Sequence, residues 1–266
     1  MTCKYATCIS LNTIEIPESV TVIKERAFCG CNGLTSLVVP NSVINIGQYA
    51  FCGCSNLTSL KLPENVWLSS YAFRSCSSLT SVTIPNGVTF MGFSVFDYCT
   101  KLKTVTIGKN LAKIQGESFA YCDNLTDVYC YCKDIPETWS NVFNGSYPEY
   151  VTLHVPNSSL EAYRKSIPWM NFGTITKLPE VIYMIDDEPY MTDLFFIGES
   201  IIPVAAPEKE GHTFSGWSEI PEIMPNYDVI ITGSFTVNSY TLTYTVEGEI
   251  YKSYEVEVRN KNNSRT

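Results

Sequence analysis

A leucine returns at positions 11, 34, 57, 79, 102 and 125, with spacings of 23, 23, 22, 23 and 23. Two further columns keep the same step. An aromatic residue stands at Tyr5, Phe28, Phe51, Phe73, Phe96 and Phe119, and a cysteine follows each after three residues, at Cys8, Cys31, Cys54, Cys76, Cys99 and Cys122. A unit this short cannot enclose its own apolar side chains, so it must stack on neighbours that carry the same pattern. The period predicts a solenoid over residues 1–134, entered in the middle of a repeat.

The unit that begins at Leu34 reads L-x-x-L/V-x-ϕ-P, then V-x-x-I, then A-F-x-x-C, where ϕ is apolar. The first segment has the alternation of a short strand, Leu37 and Val39 pointing one way and Ser36 and Val38 the other. Pro17, Pro40, Pro63 and Pro85 end that strand, because proline has no N–H to offer a further ladder bond. Leu34, Leu37, Val39, Val43, Ile46, Ala50, Phe51 and Cys54 are the expected inward set of one coil. Burying each large apolar side chain contributes roughly 1.5–3 kcal/mol, so stacking supplies most of the stability. This is the pattern of the leucine-rich-repeat class. The 22-residue unit is the third, where VINIGQYAF (43–51) becomes VWLSSYAF (66–73), and a local tightening is expected there.

The outward strand positions form two columns: Thr13, Ser36, Ser59, Ser81, Thr104 and Asp127, and Glu15, Val38, Lys61, Thr83, Thr106 and Tyr129. One reading is a half-exposed β face, which suits Ser and Thr. The other is a hydroxyl-lined platform for a protein or glycan, with Glu15, Lys61, Asp127 and Tyr129 as the discriminating groups. The strands are expected to join into one continuous sheet.

Eleven cysteines are an odd number, so at least one is unpaired in a monomer. The six periodic ones read as buried thiols, since free cysteine behaves as a small hydrophobe. Cys29 and Cys52 each follow an inward Phe by one, which places them outward in adjacent coils, one strand spacing of about 4.8 Å apart. A disulfide between them is a further reading, as is zinc held by these two with Cys31 and Cys54.

From Lys133 the period fails. Residues 135–178 read as an α+β C-terminal cap: Pro136, Trp139 and Phe143 in a loop, a strand at 151–155, a helix to about Ser166 opened by a Ser158/Glu161 capping box, and a last strand at 174–178. Residues 179–238 read as a small β-rich module. YMIDDEPY (183–190) is echoed by YTVEGEIY (244–251), and in each copy the central pair, Asp186-Asp187 or Glu247-Gly248, reads as a hairpin tip. The second copy, 239–266, is shorter than the first and is expected to give at most a hairpin with a frayed tail. The fold class is thus mainly β.

Charge is unevenly spread. Lys+Arg against Asp+Glu is 10 to 9 over 1–134, 3 to 3 over 135–178 and 5 to 15 over 179–266. A neutral front and an acidic rear argue against nucleic acid, whose phosphates need Lys and Arg. No apolar run approaches the ~18 residues of a membrane span, and the N-terminus lacks a signal-peptide layout. The chain reads as a fragment, or as one trimmed of its export signal. His154 and His212 fall in different modules, no nucleophile, P-loop or zinc motif accompanies them, and Asp186, Asp187 and Glu188 lack calcium-loop spacing. No catalysis, cofactor, metal or membrane insertion is expected.

The IPNSV…IGQYAFCGCSNLTSL unit resembles the BspA-type leucine-rich repeat of bacterial surface proteins. LHVPNSSLEAYRKSIPWMNFGTI resembles the cap of those solenoids, and KEGHTFSGWSEIPEIMPNYDVIITGSFT resembles the Listeria-Bacteroides repeat, the B repeat of internalin B. The resemblance implies an exported or surface-attached, non-enzymatic protein of a Bacteroides-like bacterium that adheres to host or neighbouring-cell macromolecules. A structural stalk or surface-layer spacer and a glycan-binding module stand as alternatives.

Overall fold

The computed structural model describes residues 11–257; Tyr5, Cys8 and the expected tail from 258 onward lie outside the described residues. The chain divides into two compact units, one ending at Leu178 and one beginning at Pro179.

The first unit is a β-solenoid of about 7 turns. Each coil contributes a short back strand and a front strand in alternation. They run β1 (Val22–Ile23), β2 (Ser36–Val38), β3 (Asn45–Ile46), β4 (Ser59–Lys61), β5 (Trp67–Leu68) and β6 (Ser81–Ile84). They continue as β7 (Phe90–Met91), β8 (Thr104–Ile107), β9 (Lys113–Ile114), β10 (Asp127–Cys130) and β11 (Glu137–Thr138). The odd-numbered strands form one parallel six-stranded back sheet. The expected inward set of the second coil is buried throughout, from Leu34 to Cys54, while Ser36 and Val38 face out.

The shortened third coil shows in the register. Val22 pairs with Asn45 and Phe90 with Lys113, both 23 apart, whereas Asn45 pairs with Trp67, 22 apart. The front sheet pays for this once: it is not continuous. Among the described residues β2 and β4 pair only with each other, and a separate sheet begins at β6. Leu60, whose counterpart Leu37 is buried, is partly exposed at this break. The front ladder between Lys61 and Ser81 does not close.

The A-F-x-x-C segment is a series of tight turns. Residues two before and two after the buried Phe take positive φ: Tyr49 and Gly53 around Phe51, Tyr71 and Ser75 around Phe73, Ser94 and Tyr98 around Phe96. The Phe rings stack along the axis at 5.1–5.8 Å from Phe28 to Phe143. From Cys54 to Cys122 the column cysteines donate their S–H to the carbonyl of the Phe one coil back: Cys54 to Phe28, Cys76 to Phe51, Cys99 to Phe73 and Cys122 to Phe96. That bond explains the column, since a small apolar side chain with one donor satisfies a buried carbonyl.

Two expectations are corrected here. Cys29 is disulfide-bonded, but Cys52 is a free thiol, so the two are not bridged to each other. Both are also buried. The expectation carried strand alternation into a segment made of turns, where successive side chains do not swap faces. The solenoid also does not stop at 134. β11 pairs with β9, Phe143 stacks on Phe119 at 5.8 Å, and buried Ser146 donates to the Phe119 carbonyl as the cysteines do one coil earlier.

Burial raises the Cys54 and Cys122 thiols to about 12 and pushes Cys76 and Cys99 well up. We expect Cys54, Cys76, Cys99 and Cys122 to stay unmodified by a thiol reagent at pH 8 until denaturant unfolds the chain. Mass-mapped labelling reads this directly; modification of Cys76 or Cys99 in the native protein would contradict the packing.

The front sheet continues past β10 into β12 (Thr152–Val155) and β13 (Thr174–Lys177), giving five parallel strands in the order β13-β12-β10-β8-β6. Between them lies a single helical turn, α1 (Leu160–Tyr163). The expected capping box does not form: no side chain caps this helix, and Glu161 pairs with Arg164 instead. Trp169 is fully buried and meets Phe143 and Tyr163 edge to face at 5.6 and 5.5 Å, closing the last core layer.

In the second unit, β14 (Val181–Ile185) pairs antiparallel with β15 (Glu188–Asp193). Further on are β16 (His212–Phe214), β17 (Val229–Gly233), β18 (Phe235–Val237), β19 (Ser239–Val246) and β20 (Glu249–Glu257). β14 also pairs in parallel with β17, and β16 pairs with β18. Val181, Tyr183, Phe195, Ile201, Met224, Val229 and Ile231 make the core. Both hairpin tips are left-handed at two successive residues, Asp186-Asp187 and Glu247-Gly248, as a two-residue β-hairpin turn needs.

Candidate binding face

The five-stranded front sheet aligns its outward residues into two rows. Ser81, Thr104, Asp127, Thr152 and Thr174 form one; Thr83, Thr106, Tyr129, His154 and Thr176 form the other. The inward residues between them, Val82, Val105, Val128 and Leu153, are buried, so each strand is anchored by one face and offers the other.

Six of the expected face residues therefore stand together: Ser81, Thr83, Thr104, Thr106, Asp127 and Tyr129. Ser36, Val38, Ser59 and Lys61 lie on the separate β2–β4 pair, all exposed. Glu15 is exposed but belongs to no strand.

Thr152, His154, Thr174 and Thr176 were not anticipated. Their strands were legible as alternating segments, but without the Leu and Cys columns nothing in the sequence tied them to the solenoid's register. The register now puts His154 beside Tyr129 and Thr152 beside Asp127. The His154 ring stacks on Tyr129 at 4.2 Å, and its Nε2 lies 3.0 Å from Asp127 Oδ1. The His154 and Asp127 side chains are 18% and 34% exposed, so the cluster is wetted only from outside. Burial, and then the neighbouring Asp127 carboxylate, raise the Tyr129 phenol above its ordinary value. The trio thus presents a neutral phenol, an imidazole and a carboxylate, held by one another, in the middle of a hydroxyl-lined sheet. Such groups make directional contacts with a partner at little ordering cost.

A second feature sits on the turns. Tyr49 stacks on Tyr71 at 4.6 Å and Tyr98 on Tyr121 at 4.5 Å. The two pairs occupy different columns, and Arg74 spans the gap with its guanidinium 5.8 Å from Tyr71 and 5.4 Å from Tyr98. Arg74 Nε in turn contacts buried Asp97 at 3.0 Å. Because these rings face one another along the axis, they show edges and not faces to solvent. The ladder holds coils together more readily than it could take a sugar ring. Among the described residues no group of three His, Cys, Asp or Glu side chains is placed to hold a metal, and no helix is long and apolar enough to cross a membrane.

The family model described as "BspA type Leucine rich repeat region" matches residues 2–163 in 6 copies. The chain belongs to the BspA-type leucine-rich-repeat family. Internalin H of Listeria monocytogenes is 30% identical over 107 residues, which is 35% of this chain and 19% of internalin H. The chain thus spans about a fifth of that relative's length. Among solved structures, the pneumococcal vaccine antigen PcpA aligns with a TM-score of 0.52 at 22% identity, covering 60% of this chain and 40% of PcpA, a likeness of fold. The leucine-rich-repeat protein of T. pallidum is 32% identical, with a TM-score of 0.40, over 41% of this chain and 52% of that one. BspA-type repeats account for the solenoid and reach into α1.

Proposed function

We propose that this BspA-type protein works at the bacterial surface or outside the cell as a non-enzymatic adhesin, binding a protein of the host or of a neighbouring cell through its front sheet. The observation that carries this is the Asp127–His154–Tyr129 cluster at the centre of five aligned strands, flanked on both sides by Ser and Thr. An aromatic pair at the middle of a polar, rigid face is where binding energy concentrates in protein interfaces, and the hydroxyl rows suit its rim. Kinship with internalin H supports a surface setting. The acidic second unit, which resembles the B repeat of the Listeria-Bacteroides type, serves in this reading as a spacer.

The test is a binding screen of the full chain against purified extracellular-matrix proteins and a glycan array, repeated with Tyr129→Ala and with Asp127→Ala/His154→Ala. A protein partner should lose about 2 kcal/mol with Tyr129→Ala, roughly thirtyfold in Kd, while the fold is unchanged by circular dichroism. A partner that binds both variants as tightly as the parent places the site elsewhere, and binding confined to saccharides replaces the adhesin by a glycan module.

A further inference from the structure

The tyrosines on the solenoid turns hide their ring faces against one another, and Tyr147 does not. Tyr49, Tyr71, Tyr98 and Tyr121 hold left-handed backbones, and each ring lies on another tyrosine. Tyr147, just past the last turn, shares the backbone at φ 50° and is 55% exposed. Among the described residues no other ring and no cation stacks on it. It lines a cleft of about 530 Å³ between the turn at 140–145 and two short 3-10 segments, Pro148–Tyr150 and Trp169–Asn171.

Main-chain bonds fix the walls of this cleft. Pro148 O accepts from Val151 N at 2.9 Å and from Gly173 N at 3.0 Å, and Pro168 O accepts from Asn171 N at 3.0 Å. Asn144 O accepts from Tyr121 N at 2.8 Å, and Phe143 and Trp169 are buried beneath. Around the rim stand the exposed side chains of Ser140, Asn144, Asn171 and Glu149. Among the described residues no hydrogen bond or ion pair within the chain holds any of these four side chains. No Lys, Arg or His lines the cleft.

That set of groups selects its ligand by chemistry. An anionic ligand would meet the Glu149 carboxylate with no cation to balance it. An apolar ligand would take the two amides out of water unpaired. A neutral ring with neighbouring hydroxyls on its edge and C–H groups on its face satisfies both demands. Each amide offers donors and an acceptor to adjacent hydroxyls, the carboxylate accepts, and the negative face of the Tyr147 ring meets the C–H groups. The volume lies within the range of about 300–1,000 Å³ that small-ligand sites occupy.

We propose that this cleft is a saccharide site, taking a short neutral glycan with one sugar ring laid on Tyr147 and its hydroxyls held by Asn144, Asn171 and Glu149. The front sheet takes no part, so the two sites stand or fall separately.

Saturation-transfer NMR of the full chain with neutral trisaccharides of glucose, galactose, mannose and N-acetylglucosamine is the test. At least one should bind, with the strongest transfer to the C–H protons of one ring face, the face against Tyr147. Kd should rise about tenfold in Asn144→Ala/Asn171→Ala and in Tyr147→Gly, where glycine keeps the left-handed backbone. Circular dichroism of both variants should match the parent, since all three side chains are exposed. Tyr129→Ala should bind the saccharide as the parent does. A sulfated form of the best ligand should bind more weakly, and Glu149→Gln should narrow that difference. No binding of any of these trisaccharides, affinity unchanged in both cleft variants, or preference for the sulfated form overturns the proposal. So does loss of binding in Tyr129→Ala, which would move the saccharide to the front sheet.

Discussion

Phe96→Ala should lower the stability of the first unit by about 3–5 kcal/mol, the usual loss for emptying a buried aromatic site. The ring is fully buried and stacks on Phe73 at 5.5 Å and on Phe119 at 5.8 Å. In a solenoid each coil is held by its two neighbours only, so the cavity weakens both interfaces at once. The rigid turns around it restrict collapse, since Ser94 and Tyr98 on either side hold left-handed conformations. Urea unfolding followed by circular dichroism measures the effect against Thr83→Ala, an exposed front-sheet change expected to stay within about 0.5 kcal/mol. A Phe96→Ala midpoint close to that control would mean the Phe stack is not what joins the coils.

Arg74→Ala should cost nearly as much, about 3 kcal/mol at pH 8, because it strands the Asp97 carboxylate in the core. Asp97 is 3% exposed, and its Oδ1 has no hydrogen-bond partner. Burial raises its pKa to about 6; Arg74 opposes the rise and Glu117 adds to it. The sign follows from linkage: the folded chain holds this proton more tightly than the unfolded one. Asp97 therefore contributes stability that is complete below the ordinary carboxylate range and is lost as pH rises through 6. Removing Arg74 takes away the opposing charge, so the loss should grow toward pH 8 and shrink toward pH 5. Asp97→Asn should flatten that segment of the profile. Urea midpoints of the three proteins at pH 5 and pH 8 check both statements, and an Arg74→Ala deficit equal at the two pH values would contradict them.

The sequence legible as columns became structure almost residue by residue. Leu, Phe and Cys repeat because each fills one layer of one core, and a period is visible wherever the same layer needs the same shape. Where that need was met by different residues, the pattern went silent. Ser146 does for the Phe119 carbonyl what Cys122 does for Phe96, but a serine in place of a cysteine, 24 positions on, does not read as the same column. The Tyr–Arg–Tyr ladder was hidden for a related reason, since its tyrosines change column between Tyr71 and Tyr98 and only the fold shows Arg74 bridging them.

The candidate face was half legible. Asp127 and Tyr129 stood in the outward columns, but His154, which packs against both, lay in a segment without the repeat. Its place depends on β12 docking beside β10, a pairing fixed by the buried Val128 and Leu153 and not by any motif. The break after Lys61 was foreshadowed by the 22-residue coil, though its effect on the front ladder required the register of both sheets. Cys29 and Cys52 show the opposite hazard: a rule that holds on strands was applied to turns.

Hydroxyl-radical footprinting of the full chain, alone and saturated with whichever matrix protein the screen identifies, tests the central claim most directly. Tyr129 and His154 should lose most of their oxidation in the complex, while Trp67 and Tyr150, exposed outside the five-stranded front sheet, keep theirs. Protection of Trp67 or Tyr150 with Tyr129 and His154 unchanged would contradict the account and move the binding site off the front sheet.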